Sequence, residues 1–264
     1  MNNAMIGSDP EMFIKGDNGV WHAIGMIGGS KSSPLIVDGG ALQEDNVLLE
    51  FNTDPTDNID TFVSNIRKVM DNASRRMMIQ GYQLVENLSS YIYRPEVISQ
   101  FPDIAFEFGC TPDFNALTGE QNPTPTSVDP NLRTAGGHIH IGWSHLGPVD
   151  KATQDRVGIM CDYFLGLPSL AMDNDDKRRE LYGKACAVRY KPYGVEYRTL
   201  SNFWIWDDKN VRWAFDQAQR AYNAAISYGD ALMATVPPQD VQAVINSNDR
   251  AVAKAMLEAL DHAS

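Results

Sequence analysis

The sequence predicts an α+β fold: a largely antiparallel sheet with flanking helices and a helical C-terminus. Three observations carry this. Short segments that alternate polar and apolar residues recur between residues 5 and 204, bounded by Gly, Asn and Pro. Helical periodicity interrupts them after Asp57 and after Asp150, without the regular strand–helix alternation of a parallel sheet. Beyond residue 206 the apolar spacing is helical throughout.

Residues 5–26 contain two short strands, MFIKG and VWHAI. Asp17-Asn18-Gly19 between them reads as a hairpin turn, because Asn and Gly tolerate positive φ. NVLLEFNT, residues 46–53, is the next strand. Ile59, Phe62, Val63, Ile66, Val69, Met70, Ala73 and Met77 then fall on one face of a helix reaching about Gly81. Its other face, with Arg67, Lys68, Arg75 and Arg76, reads as solvated. Strands are expected at 82–93, 105–110, 136–143 and around 185–204. The stretch 111–135, rich in Pro, Asn, Thr and Gly, reads as a long loop of the kind that lines sites. A helix follows Asp150 to about Leu165, and CAVRYKPYGVEYRTLSNF is a hairpin turning at residues 191–194. Val211, Ala214, Phe215, Ala218, Tyr222, Ala225 and Ile226 mark a further helix, Pro237-Pro238 break the chain, and two shorter helices follow. Segment 206–264 is assigned to packing within a single domain, 1–264.

The chain has 264 residues, 43% of them hydrophobic and 21% charged, which is enough apolar material for a sizeable core. A net charge of −12 argues against nucleic-acid or membrane-surface partners. Cys110, Cys161 and Cys186 form no CxxC pair, which suits reduced thiols in a cytoplasm. No apolar run is long enough to span a membrane, and the N-terminus does not read as a signal peptide. Neither GxxxxGK[ST] nor GxGxxG occurs, so phosphate-loop and dinucleotide folds lack support.

The chemistry concentrates in four segments. GGHIHIG, residues 136–142, holds two of the chain's five histidines. In a strand His138 and His140 share one face, while Ile139 and Ile141 point into a core. Such a pair suits a metal or a phosphate, and half-exposed strand histidines are the plain alternative. Asp9 and Glu11, in GSDPEMFI, stand at i and i+2 across Pro10. Two carboxylates on one strand face repel unless a hard divalent cation lies between them, and the missing N–H of Pro10 places this strand start at an edge or bulge. Glu50 sits among Val47, Leu48, Leu49 and Phe51, where a buried carboxylate needs an arginine or a metal, and Asn52 shares its face. Glu196 and Arg198, in GVEYRTL, repeat the spacing with opposite charges, either as an ion pair or as part of a site. Arg178, Arg179, Lys184 and Arg189 add basic density suited to phosphate or carboxylate, although Arg178 and Arg179 also fit a solvated helix end.

These motifs together resemble the glutamine synthetase / glutamate–cysteine ligase superfamily of carboxylate–amine ligases. More narrowly, GSDPEMFI, DNVLLEFN, FGCTPDFN, RTAGGHIHIG and KPYGVEYRTLSNFW resemble the phage-type COOH–NH2 ligase (type 2) family, over residues 5–205. The resemblance implies a glutamine-synthetase-like half-barrel built on a curved sheet, with ATP and Mg2+ or Mn2+ as cofactors. It implies metal ligation by Asp9, Glu11, Glu50, His138 and Glu196. It places His140 close to the nucleotide phosphates, Arg198 on them, and Arg189 as a further phosphate- or substrate-binding arginine. Lys184, from the basic density, and Asn52, from the face of Glu50, are expected to join the nucleotide-binding residues, and Arg198, Arg189 and Glu50 are expected to be the catalytic ones. The first acidic position is Asp where the family has Glu. No second glutamate pairs with Glu50 at the superfamily's spacing, and Asp45 and Asp113 are the candidates for that place.

The implied activity is ATP-dependent amide formation between a carboxylate and an amine through an acyl phosphate. The substrates are expected to be small molecules or peptides, and the location the cytoplasm, that of the host if the chain is phage-encoded. Two other readings remain open: a zinc hydrolase built on His138 and His140, and a virion or assembly protein that has kept the fold without the activity.

Overall fold

The structure is a computed structural model that describes residues 3–106, 112–123 and 129–261. The fold is α+β, and every ladder between its strands is antiparallel. In the five-stranded sheet the order is Met5–Ser8, Ile139–Gly142, Gly194–Tyr197, Ala187–Lys191 and Phe114–Asn115. A four-stranded sheet runs Glu11–Met12, Leu48–Thr53, Gly40–Asp45 and Leu35–Val37. Smaller sheets join Gly19–Trp21, Ile14–Gly16 and Gln83–Leu84, and pair Leu132–Thr134 with Ser90–Ile92.

The chain passes from the first sheet to the second at Asp9-Pro10. Pro10 has no N–H for a ladder, so the strand breaks there. Its carbonyl is used instead, accepting from the Phe51 N–H at 3.1 Å. The expected single face carrying both Asp9 and Glu11 therefore does not form.

Helices Lys151–Cys161 and Asp208–Ile226 pack on one side of the five-stranded sheet. Ile139, Ile141, Val195 and Tyr197 are wholly buried on that side, which leaves the alternate residues for the opposite face. Helix Ile59–Ile79 starts at Asn58, whose side chain accepts from the Thr61 N–H at 3.0 Å, and buries Phe62, Ile66, Val69, Ala73 and Met77 against the four-stranded sheet. Gln219 bonds both the N–H and the carbonyl of Ala4, at 3.1 and 2.6 Å, tying the C-terminal helices to the first strand.

Several expectations need correction. Of the strand expected at 105–110, residues 105 and 106 belong to the 3-10 turn Asp103–Phe106, closed by the Ala105 N–H on the Pro102 carbonyl, and 107–110, with Cys110, lie outside the described residues. The stretch 82–93 splits into two short strands in different sheets. The loop 111–135 contains the strands Phe114–Asn115 and Leu132–Thr134, because both find partners remote in sequence. The helix after Asp150 leaves α geometry at Cys161 for a π-turn, Asp162–Gly166. That wider turn delivers the buried Asp162 carboxylate to the Cys186 N–H at 2.9 Å and the Tyr197 hydroxyl at 2.7 Å. Arg67 is pinned to Asp208 at 2.7 Å and to the Ile205 carbonyl at 2.8 Å rather than solvated. Among the described residues no helix is long and apolar enough to cross a membrane.

Candidate metal and phosphate site

A row of residues crosses the free face of the five-stranded sheet. His140 stands directly opposite Glu196, and Glu196 directly opposite Arg189. His138 lies just before the same strand, and Asp9 reaches it from the end of the first strand. The Asp9 Oδ1 is 3.2 Å from His138 Nδ1 and 3.1 Å from His140 Nε2. Both histidines thus converge on one carboxylate, as their i, i+2 spacing predicts. His138 Nδ1 is also 3.8 Å from Glu196 Oε1. The Glu196 carboxylate is wholly buried and meets Arg198 directly, Arg189 at 3.3 Å and Lys191 at 2.7 Å. Arg198 further reaches Asp113 at 3.4 Å, and the Tyr193 hydroxyl bonds His140 Nδ1 at 2.5 Å.

A second cluster forms where the four-stranded sheet begins. Glu11 stands directly opposite Glu50, and Asp45 lies on the adjoining strand. Like charges facing each other across a ladder are destabilising unless something offsets them. The Gly136 N–H donates to Glu11 at 2.6 Å, and Lys31 Nζ lies 2.7 Å from Asp45 and 3.9 Å from Glu50. Glu50 Oε2 is buried and accepts no hydrogen bond.

The two clusters differ electrostatically. Burial works to raise the pKa of Asp9, but His140 and His138 outweigh it and hold the carboxyl well below its ordinary range. Burial and Asp9 push Glu196 the same way, and Arg198 with the histidines overrides them, down to about 2. His138 is pushed down to about 4 by burial and by Arg198. His140 is raised, because Asp9 outweighs its burial. In the second cluster burial dominates. Glu11 is raised to about 7 by burial and by Asp45, and Glu50 is raised well above the carboxylate range by burial, Asp9, Glu11 and Asp45.

Both clusters fit a divalent ion. In each, one donor atom from every residue lies within 4.8 Å of the others: Asp9, His138 and Glu196 in the first, Glu11, Asp45 and Glu50 in the second. The second set is all oxygen, the donor chemistry of Mg2+ or Mn2+, and its orphaned Glu50 oxygen is a vacant ligand atom. The first set mixes imidazole and carboxylate and adjoins three cationic side chains, so it suits a metal next to an anion.

Of the residues singled out in the sequence, Asp9, Glu11, Asp45, Glu50, His138, His140, Arg189, Glu196 and Arg198 lie in these clusters, and Asp113 meets Arg198 instead of Glu50. Asn52 instead donates to Gln43 at 3.1 Å, and no ion pair joins the Lys184 side chain to either cluster among the described residues. Arg178 and Arg179 are buried, not solvated. Arg178 bonds the carbonyls of Thr199 and Arg198 at 3.0 and 3.3 Å, and Arg179 pairs with Asp173 at 3.3 Å. The sequence reading missed Lys31, Lys191, Tyr193 and Gly136. Lys191 carried a signal, since it repeats the spacing of Arg189 along one strand. Lys31, in a Gly- and Ser-rich turn, carried none.

Residues 129–240 match the family described as "Phage phiEco32-like COOH.NH2 ligase-type 2". Over that segment the chain is similar to this ligase family. It is the family that the motifs RTAGGHIHIG and KPYGVEYRTLSNFW, within that segment, resemble. The matching segment contains His138, His140, Arg189, Glu196 and Arg198, whereas Asp9, Glu11, Asp45 and Glu50 lie before it. The second cluster therefore rests on its geometry alone. A solved structure, "Crystal structure of novel glutamine synthase homolog", is similar at 12% identity with a TM-score of 0.39, covering 98% of this chain. The chain spans 66% of that structure's length. No curated protein matches the chain.

Proposed function

We propose that the protein uses ATP to join a carboxylate to an amine through an acyl phosphate. One observation carries this reading: the segment Asp9-Pro10-Glu11 feeds two adjacent ligand clusters, one all oxygen, the other beside Arg189, Lys191 and Arg198. A metal pair next to concentrated cations is what a transferring phosphoryl group needs. The description of the matching family, a COOH.NH2 ligase, supports the same class.

Glu11, Asp45 and Glu50 would hold one ion, and Asp9, His138 and Glu196 another. Mg2+ or Mn2+ would supply charge neutralisation and orientation of the phosphates. The substrate carboxylate oxygen attacks the γ-phosphorus, and ADP departs with the electron pair of the broken P–O bond. The amine nitrogen then attacks the acyl carbon, phosphate leaves, and the amine proton passes to solvent or a nearby base. The Arg198 guanidinium, held by Glu196 and Asp113, presents planar N–H donors to the phosphate oxygens. Arg189 and Lys191 add positive charge at the same edge. Their task is positioning and electrostatic stabilisation.

Calorimetric titration with a non-hydrolysable ATP analogue, followed by a screen of carboxylate and amine pairs for ADP release, tests the proposal. Nucleotide affinity should depend on Mg2+ or Mn2+, and one pair should release ADP. Equal affinity with and without the ion, and no ADP from any pair, would overturn it. Zinc retained through chelation, with hydrolysis of an amide in the absence of ATP, would favour the hydrolase reading carried by the His138 and His140 donors.

A further inference from the structure

We infer that Lys31 is an internal counter-cation: it occupies the Glu11, Asp45 and Glu50 cluster in the ion-free protein and is exchanged for the divalent ion. The inference rests on the reading of that cluster as a metal site.

Lys31 Nζ lies 2.7 Å from Asp45 and 3.9 Å from Glu50, at the end of a stem that is 59% exposed. The backbone that carries it is fastened. The Glu44 N–H donates to the Gly29 carbonyl at 3.1 Å, and Ser30 and Ser33 exchange hydrogen bonds at 3.0 and 3.1 Å. A Cβ at Gly29 would collide with the Leu42 carbonyl and the Leu35 nitrogen, so that turn cannot drift far from the sheet. The side chain is the movable part, and its flexible four-carbon stem can swing the ammonium into solvent.

One ammonium faces three carboxylates here, and the buried Glu50 Oε2 is still without a hydrogen bond. Lysine therefore compensates the cluster incompletely, and a divalent ion compensates it better. The two cations cannot share it. The donor atoms lie within 4.8 Å of one another, a cage for a single ion, and two cations in contact with one carboxylate group repel at short range. The other cluster behaves differently: Glu196 keeps Arg189 and Arg198 even if Lys191 leaves. Exchange at Lys31 sets the ion concentration at which the cluster fills.

The test is Mn2+ titration of the full chain by calorimetry, comparing wild type with Lys31→Met and Lys31→Arg. Asp45→Asn identifies the component of the isotherm that belongs to this cluster. Reductive methylation of Lys31, followed by peptide mass spectrometry with and without Mn2+, reports whether the ammonium is released. Lys31→Met should bind Mn2+ roughly two- to fivefold more tightly, the range of a half-exposed ion pair. Lys31→Arg should stay near wild type, and methylation of Lys31 should accelerate with Mn2+ while that of the exposed Lys209 does not. Unchanged or weaker binding by Lys31→Met overturns the exchange and leaves the metal site standing. Tighter binding without faster methylation reduces Lys31 to a nearby charge and also overturns it. No Mn2+ binding by wild type or by Lys31→Met overturns the metal site itself, and the exchange with it.

Discussion

Asp9 and Glu11 are separated by one proline, yet their carboxylates enter different clusters. Asp9 lies 3.1–3.2 Å from two histidines, and Glu11 faces Glu50 across an antiparallel ladder. Pro10 stands at the crossing of two sheets and breaks the alternation that would have put both on one face.

Substitutions of the two should therefore separate. Asp9→Asn should lower the pKa of His140, which that carboxylate raises, whereas Glu11→Gln should leave it in place. Glu11→Gln should weaken Mn2+ binding roughly tenfold or more through loss of a ligand. Histidine titration by NMR and Mn2+ calorimetry check the pair. A common effect of both variants on His140 would contradict the partition.

Glu50→Gln should stabilise the metal-free protein at pH 8. Burial, Asp9, Glu11 and Asp45 all make its ionised form unfavourable, and the amide keeps the shape without the charge. The expected gain is about 1 kcal/mol, or roughly 2–4 °C for a chain of this size. Thermal unfolding in a chelator measures it. A lower Tm would show that the carboxylate is already compensated.

The pH dependence has a defined sign. The fold raises Glu11 from 4.5 to about 7, so it favours the protonated form. The stabilisation from this group is complete below about pH 4.5 and is lost as pH rises through 7. Glu196, lowered to about 2, acts oppositely: its contribution is present above its ordinary value and disappears in strong acid. A metal ion needs ionised ligands. The rise in Tm on adding Mg2+ should therefore grow from pH 5.5 to 8, with proton release on binding. A Tm rise independent of pH would exclude Glu11 as a ligand.

Arg198→Lys keeps the charge and loses the planar fork. The folded state should be unaffected, and kcat should fall by roughly 10²-fold or more on whichever pair releases ADP. A wild-type kcat would leave Arg198 as an ion-pair partner of Glu196 and Asp113.

Gly136→Ala should damage both clusters at once. A Cβ there would run into the His138 ring, and the Gly136 N–H is the donor to Glu11 at 2.6 Å. The expected loss is about 1–3 kcal/mol of stability from overpacking, with weakened Mn2+ binding. Chemical denaturation and calorimetry on the same variant check the two effects.

The sequence alone determined what depends on a short backbone period. The alternation in GGHIHIG places His138 and His140 toward Asp9 and buries Ile139 and Ile141. The helix from Ile59 and the hairpin turning at residues 191–194 follow from spacing and turn chemistry that reach only a few residues. The burial of Glu50 was legible for the same reason: its neighbours are apolar. Tertiary structure decided everything that depends on partners remote in sequence. It parted Asp9 from Glu11 between two sheets, brought Lys31 against Asp45, buried Arg178 and Arg179 on carbonyls and Asp173, and found partners for Phe114–Asn115 and Leu132–Thr134. No local period encodes those choices, because a carboxylate or an ammonium carries the same signature in a strand whether its counter-charge is solvent or a residue a hundred positions away.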